Sequence, residues 1–588
     1  MKFKPYTSSR SALSATTLIL ASLLYWACTK ELSIEGERFP RMPEISVEDV
    51  TIQGLVIDDA GKPVADALVE TDMEMTRTDR YGIFRLEQTP MNLNGGLVTV
   101  KKDGFFAGSR SFFFETASTN FMRIRLVKKV LAGQVSESGG VIQVGDASIE
   151  FPAGAFTIKG TNTTYQGQAK VYAAYLPAND LDILDEMPGN LFGIRSDSSF
   201  AGLETLGMMM VEIEGSAGQP LKLADGKEAK MDIPALPSAP AMVPMWNFDE
   251  RSGFWKEDGF ATKIGNRLVA RVTHFSTWNW DLPYRVVKMK ATFKTTEGMP
   301  LQNYRVIIKR TNVTDNTKLS VQAITDSTGR INGPLPANEV VTLSVVGSCG
   351  EIIYSKSIGP VGVDTDFGGF DVSIPNYTWT TVTGRLIDCF DKPVKKGFFT
   401  LMAQNKVYRA ALDSTGKFTL KFLNCSNITS GDAAGYDAVS NREGDIVPLN
   451  LSSGNVNTGD IKICGAVVQN QFINYKLDTA QFILSSPTDS ITAYYSGNNF
   501  TVTGSSRDNS KFIFFGCTTD GSLGLKKLTR FSANTNRDCN TNNAELEITK
   551  WDANGWVEGK MKATVIRYDS FQVVKNIQVD LDFRVSRQ

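Results

Sequence analysis

From Thr51 onward the chain alternates apolar and polar positions in short runs that Gly, Pro, Asp and Asn interrupt, the pattern of half-buried strands joined by tight turns. Gly54-Leu55-Val56-Ile57-Asp58, the turn Gly61-Lys62-Pro63-Val64 and Ala67-Leu68-Val69 read as strand, turn and strand. Thr78-Asp79-Arg80-Tyr81-Gly82 then turns into Ile83-Phe84-Arg85-Leu86, and runs near 97–105 and 121–126 complete a small sandwich. Gly and Pro set these turns, because Gly reaches backbone angles other residues avoid and Pro presets its own.

The second turn recurs downstream. Asp326-Ser327-Thr328-Gly329-Arg330-Ile331 and Asp413-Ser414-Thr415-Gly416-Lys417-Phe418 repeat it, and each follows a partial echo of the first turn, Gly298-Met299-Pro300-Leu301 and Asp391-Lys392-Pro393-Val394. Two turns in the same order predict two further sandwiches of similar form. A longer region before them carries Gly139-Gly140-Val141-Ile142, then Ile149-Glu150-Phe151-Pro152-Ala153-Gly154-Ala155-Phe156. A hairpin spans Met245-Trp246-Asn247-Phe248-Asp249-Glu250 and Gly253-Phe254-Trp255-Lys256-Glu257-Asp258-Gly259, and Thr273-His274-Phe275-Ser276-Thr277-Trp278-Asn279-Trp280-Asp281 reads as the last strand of the region. The remainder alternates through Phe500-Thr501-Val502-Thr503, Lys511-Phe512-Ile513-Phe514-Phe515 and Val579-Asp580-Leu581-Asp582-Phe583, a run of antiparallel strands. The predicted class is all-β, with about five tandem β-sandwich domains in a row. The expected boundaries are 1–27 for a signal peptide, 28–48 for a lipid-anchored linker, then 49–128, 129–284, 285–376, 377–465 and 466–588.

Several of these stretches resemble known families. The pattern from Gly54 to Val69 followed by Thr78 to Leu86 is similar to the carboxypeptidase regulatory-like domain, a transthyretin-like seven-stranded sandwich that is an accessory module without catalytic residues. Region 377–465 reads as a degenerate copy. The motifs of region 129–284 resemble the β-sandwich shared by zonula-occludens proteins and netrin receptors. The ending resembles a C-terminal β domain of Bacteroidota lipoproteins.

Composition narrows the classes. The 588 residues are 42% hydrophobic and 21% charged, ordinary for folded domains. Lys+Arg of 62 against Asp+Glu of 63 leaves a net charge of −1, which excludes an overall basic field for nucleic acid. Lys2, Lys4 and Arg10 precede an apolar run from Ala12 to Ala27 that is short for a membrane span, and Leu23-Leu24-Tyr25-Trp26-Ala27-Cys28 resembles a bacterial lipobox. That resemblance implies acylation of Cys28 and a place on the outer membrane or cell surface, with Lys30-Glu31 similar to an export tether of Bacteroidota-type lipoproteins. Six further cysteines in an exported chain favour disulfides, and the candidate pairs are Cys517–Cys539 and Cys389–Cys425.

The chemistry-bearing motifs are few. H-E-x-x-H, G-x-S-x-G and the P-loop are absent, and a single histidine cannot furnish the usual metal triads, so no cofactor and no metal site is expected. Asp180, Asp182, Asp185 and Glu186 form one acidic loop, and Asp249, Glu250, Glu257 and Asp258 flank a hairpin; neither matches an EF-hand, and solvated loops are the plainer reading. His274-Phe275-Ser276 carries two readings. On a strand His274, Ser276, Trp278 and Trp280 would share one face, so the stretch is either a packing strand or a site of self-cleavage. Cleavage between Phe and Ser at H-F-S occurs in nucleoporins and in some death-domain proteins with this type of sandwich. By that resemblance Ser276 Oγ attacks the Phe275 carbonyl with His274 as base, which requires a strained peptide. The expected function is non-enzymatic binding, adhesion or scaffolding through loops of sandwiches that project from a lipid anchor, toward a protein or glycan ligand. The alternatives are a self-cleaving β domain and a carbohydrate-binding or carbohydrate-active accessory protein.

Overall fold

The computed structural model describes residues 39–587, apart from 73, 162, 181, 312–320, 348, 375–376, 404–405, 426–427, 441, 466–470, 486–488, 507–510, 535–538, 542–543, 552–554 and 570–571. The signal sequence and Cys28 lie outside the described residues. Within them the protein is all-β, and the α-helix is the four-residue Ile183–Glu186. No helix among the described residues is long and apolar enough to cross a membrane.

Strand Val47–Ile57 shows why the alternation predicts sheets: Val50, Ile52 and Val56 are fully buried while Thr51, Gln53 and Leu55 between them are half-exposed. It is the centre of a three-stranded sheet, antiparallel to Ile83–Asn92 and parallel to Thr119–Arg125. A four-stranded sheet packs on it, ordered Met75–Arg77, Leu68–Glu70, Asn94–Lys101, Gly108–Phe113. The same wiring recurs twice. Val286–Thr295 lies between Arg330–Pro336 and the parallel Thr365–Val372. Tyr377–Asp388 lies between Lys417–Cys425 and the parallel Asn455–Ile463.

The repeated turns explain the repeated wiring. Asp79 Oδ1 accepts the N–H groups of Tyr81 and Ile83, Asp326 Oδ1 those of Thr328 and Arg330, and Asp413 Oδ1 those of Thr415 and Lys417. Each turn ends on a glycine with positive φ, +69° at Gly82, +80° at Gly329 and +79° at Gly416. The carbonyls of these glycines accept from Val56, Phe293 and Leu386 on the three central strands, and the N–H groups of Val64, Leu301 and Val394 in the first turns return to the same three residues. Both turns therefore dock on one point of the central strand, which is why they occur together. A Cβ on Gly82 or Gly329 would meet the carbonyl oxygen of Val56 or Phe293 at 2.3 Å. Gly82→Ala is expected to destabilise the first sandwich by about 2 kcal/mol or more, combining left-handed strain with this overlap, and a lowered melting transition in calorimetry checks it.

The second region is a sheet of eleven strands ordered around Phe200–Glu214, Thr277–Tyr284 and Met242–Asp249. Phe200–Glu214 is buried on both faces over most of its length. Met209 faces one core of the region with Trp278 and Trp280, whereas Met208 and Met210 belong to a second cluster, with Leu176, Leu203, Trp246 and Trp255, which Phe106 and Leu97 of the first sandwich join. The final sheet has nine strands and curls until Ala493 at its far edge bridges Arg587.

The tandem domains also pack on one another. The first sandwich touches all four others. Arg110 enters the second region, Ser118 Oγ donates to Asp326 Oδ2 of the third (2.7 Å), Arg409 of the fourth pairs with Asp79, and Arg77 lies 4.3 Å over the Trp556 ring of the last.

The disulfide expectation is corrected. Cys389 pairs with Cys464, at a Cα separation of 5.2 Å, and not with Cys425. The first and last strands of the fourth sandwich run parallel with Asp388 opposite Ile463, which carries the two following cysteines side by side. Cys425 pairs in register with Tyr377 at the other end of the central strand, roughly 35 Å away at the ~3.3 Å rise of a strand; its side chain lies outside the described residues. Cys349 is disulfide-bonded as well. Cys517 and Cys539 are buried but not joined. Strand Gly524–Ala533 runs between them, facing Cys517 through Leu528 and accepting the Cys539 N–H at Phe531, so they stand two strand spacings, at least ~10 Å, apart, beyond the ~7 Å reach of a disulfide.

Candidate functional site

The strand expected at 273–281 begins only at Thr277, and His274-Phe275-Ser276 belong to the connection that enters it from Arg267–Val272. His274 is not a core residue: its side chain is 44% exposed, its Nε2 lies 3.6 Å from Asp258 Oδ2, and its ring packs on Trp278 at 4.9 Å. The Trp278 indole N–H donates to the His274 carbonyl (3.1 Å), and Ser276 Oγ donates to the Thr277 carbonyl (3.3 Å). The imidazole and the hydroxyl are therefore engaged elsewhere rather than with each other. The Phe275–Ser276 peptide is trans, and neither residue has a positive φ. These residues edge an open groove of about 530 Å³ in which Lys256 pairs with Asp249, while Glu212 and Glu214 pair with Lys129 outside it.

The acidic loops serve contacts between strands and domains. Asp182 pairs with Arg125 at 2.9 Å, and buried Asp185 faces Arg123 at 3.6 Å, Arg305 at 4.0 Å and the Gln322 amide at 2.7 Å. Glu186 stands beside them, its carboxyl pushed up to about 7, chiefly by burial and then by the Asp180 charge. In the hairpin, Glu257 accepts from the Ser196 backbone and Asp258 faces His274. Among the described residues no group of three or more His, Cys, Asp or Glu side chains is arranged to hold a metal ion.

Beneath the Trp strand lies a buried polar centre that pattern reading missed. Asp281 is fully buried; Asn279 Nδ2 donates to its Oδ2 at 2.6 Å, while its Oδ1 has no partner. Thr205 donates to Asn279 Oδ1 at 2.8 Å. Burial, opposed by hydrogen bonding from Thr205 and Asn279 and aided by the charge of Glu204, holds the Asp281 carboxyl well above its usual range. A carboxyl raised in the folded state keeps a proton the unfolded chain has lost, so its contribution is present below the ordinary carboxylate range near pH ~4 and disappears as pH climbs through the raised value. Asp281→Asn, neutral at every pH, is expected to be more stable than the parent by about 1–3 kcal/mol at pH 8 and equal to it at pH 4, which melting curves across that range will read.

A further charged space lies at a junction of three sandwiches. A cavity of about 300 Å³, at the lower end of the ~300–1,000 Å³ usual for small-molecule sites, opens where the first, third and fourth meet. Strand Lys406–Ala411 forms one wall through Lys406, Tyr408 and Arg409. Strand Lys417–Cys425 supplies Lys421 and Phe422, and Tyr377–Asp388 supplies Trp379. The wall is built from cations laid on rings: Lys421 Nζ is 4.6 Å from the Trp379 ring, Lys406 Nζ 4.7 Å from Tyr304, and Arg409 5.4 Å from Phe398. Tyr408 stacks on Phe422 at 4.3 Å. Burial and the nearby Arg123 and Arg305 guanidiniums, opposed by the Glu351 carboxylate, press the Lys406 amine down to about 8. The sequence signal was slight, one basic–apolar–aromatic–basic run, Lys406-Val407-Tyr408-Arg409.

No family model matches the chain, and no curated protein matches it. Solved structures that align with it include the shaft pilin SpaA from Lactobacillus rhamnosus GG, at 10% identity over 31% of this chain and 98% of that one with a TM-score of 0.20. The Bacillus anthracis TIE protein aligns at 10% identity over 63% and 68% with a TM-score of 0.14. A variant of BcpA, the major pilin subunit of Bacillus cereus, aligns at 10% identity over 71% and 99% with a TM-score of 0.11. Likeness of this order carries no information on ligand or partner.

Proposed function

We propose that this is a non-catalytic, lipid-anchored protein of the outer membrane or cell surface that takes its ligand in the junction cavity. The observation that carries the reading is the cavity wall: four cations and six aromatic rings, with no carboxylate among the described residues that line it, contributed by three separate sandwiches. Cations converging on one space repel one another, and the carboxylates that pair with Arg409 and Arg85, Asp79 and Glu87, stand behind the wall rather than in it. A ligand that brings complementary charge relieves that repulsion. Cys28 supplies the anchor in this reading, and the Asp-Gly turns of the three similar sandwiches support their resemblance to carboxypeptidase regulatory-like modules, which are accessory rather than catalytic.

The test is capture by immobilised full-length protein across a panel of glycans and extracellular proteins. Retention of one class, lost in Trp379→Ala and in Tyr408→Ala, is the expected result. Silence across the panel, or retention indifferent to both substitutions, overturns the proposal. The same preparation should run on a denaturing gel as one full-length band that Ser276→Ala leaves unchanged, since the hydroxyl and imidazole are engaged apart.

A further inference from the structure

We propose that the ligand of the junction cavity is an acidic saccharide, its ring faces laid on the aromatic wall and its acidic group held at Lys406. This rests on the cavity being the binding site and names what it binds. Lys406 lines both the 300 Å³ cavity and a neighbouring one of about 200 Å³, and Gln53, Phe121 and Asn303 are shared by the two, so one extended molecule can occupy both across the lysine. Charge is distributed unevenly along that path. The first cavity contributes Arg85, Arg409 and Lys421 besides Lys406; the second adds Arg123 and Arg305, and Asp185 is the one carboxylate among the described residues that line either. Asp185 already faces Gln322, Arg123 and Arg305. Glu351 acts on Lys406, and Asp79 and Glu87 pair with Arg409 and Arg85, from outside the lining; with those carboxylates counted the cations along the path still outnumber the acids, so an arriving anion meets net positive charge.

The rest of the wall fits a sugar rather than a bare anion. Trp379, which bears Lys421 on its ring, and Tyr408, backed by the buried Phe422, give the cavity broad apolar surfaces against which the C–H groups of a pyranose can pack. The amides of Gln53, Gln302 and Asn303 and the hydroxyls of Thr119 and Ser327 are groups that can bond ring hydroxyls from the side. Three domains enclose the space, which suits a short oligosaccharide or a chain end.

The experiment titrates the full-length protein in a calorimeter with an oligomer of a hexuronic acid, with its carboxyl-reduced neutral counterpart, and with a sulfated neutral oligomer of the same length. Binding of the uronic acid or the sulfated oligomer at least tenfold tighter than the neutral one is expected, and whichever of the two is preferred identifies the acidic group. Lys406→Met, which keeps the apolar stem, should lower the acidic ligand's affinity at least tenfold and leave the neutral ligand's unchanged, in a variant whose melting temperature matches the parent. Equal affinity for acidic and neutral oligomers, or an acidic affinity indifferent to Lys406→Met, overturns the inference. If the neutral oligomer binds as tightly and Trp379→Ala abolishes it, the cavity remains the site and the acidic requirement falls; if none of the three binds, the saccharide assignment falls outright.

Discussion

Arg110→Ala is expected to cost about 3–5 kcal/mol and to loosen the first sandwich from the second domain. The Arg110 guanidinium is buried and donates only to carbonyls: Leu184 and Asp185 at 2.8 Å, Gly189 at 3.2 Å, Arg123 at 3.3 Å and Met187 at 3.4 Å. Four of those carbonyls belong to the short helix Ile183–Glu186 and the residues after it, where a helix end leaves acceptors without internal donors. Burial lowers the arginine to about 10, so it stays charged at neutral pH while its two terminal nitrogens divide their N–H groups over that surface. Truncation leaves several acceptors buried without a donor, each worth roughly 1–3 kcal/mol before water relaxes some of the loss. Urea unfolding followed by tryptophan fluorescence should show a lower midpoint, and calorimetry a transition for the first sandwich separating from that of the second domain. Arg110→Lys should recover little, because an ammonium cannot fork among five carbonyls. An unchanged midpoint would mean the domains dock through Phe106, Leu97 and their apolar neighbours alone.

Removing the Cys389–Cys464 bridge should have an effect of similar size. The bridge closes a loop of 75 residues that contains most of the fourth sandwich. Chain entropy alone assigns a crosslink of that span about 4.5 kcal/mol, and measured losses on removing native bridges run at about 2–5 kcal/mol. Cys389→Ser is therefore expected to lower the melting temperature of the fourth sandwich by several degrees, and reductant should lower the parent's transition toward the variant's. A parent transition insensitive to reductant, with the variant melting at the same temperature, would rule the contribution out. Cys517 should stay unreactive to thiol reagents in the folded protein, because burial pushes its thiol up to about 11.

The all-β class was legible because alternation is a local property: Val50, Ile52 and Val56 face inward whatever the neighbouring domains do. The Asp-Gly turns were legible for the same reason, since a carboxylate reaching the N–H groups two and four residues ahead and a glycine at positive φ are settled within six residues. His274 shows where such reasoning stops. Two-residue periodicity placed it on a strand with Trp278, but the chain leaves the strand at Val272 and re-enters at Thr277, so the face it was assigned does not exist there.

What the sequence by itself determined is the set of parts: the all-β class, strands with one buried face, and the recurring turn pairs. Only the tertiary structure decided how those parts meet. Phe106 and Leu97 of the first sandwich complete the cluster that holds Met208 and Met210, and Cys389 finds Cys464 because the first and last strands run parallel. Asp185 serves Arg123 and Arg305 from two other domains, and Lys406 and Tyr304 face one cavity from separate sandwiches. These are contacts between residues tens to hundreds of positions apart, with no periodicity or spacing to mark them. They arise when domains that have each buried one apolar core still carry unmatched surface, and that surface is matched only by how the domains pack.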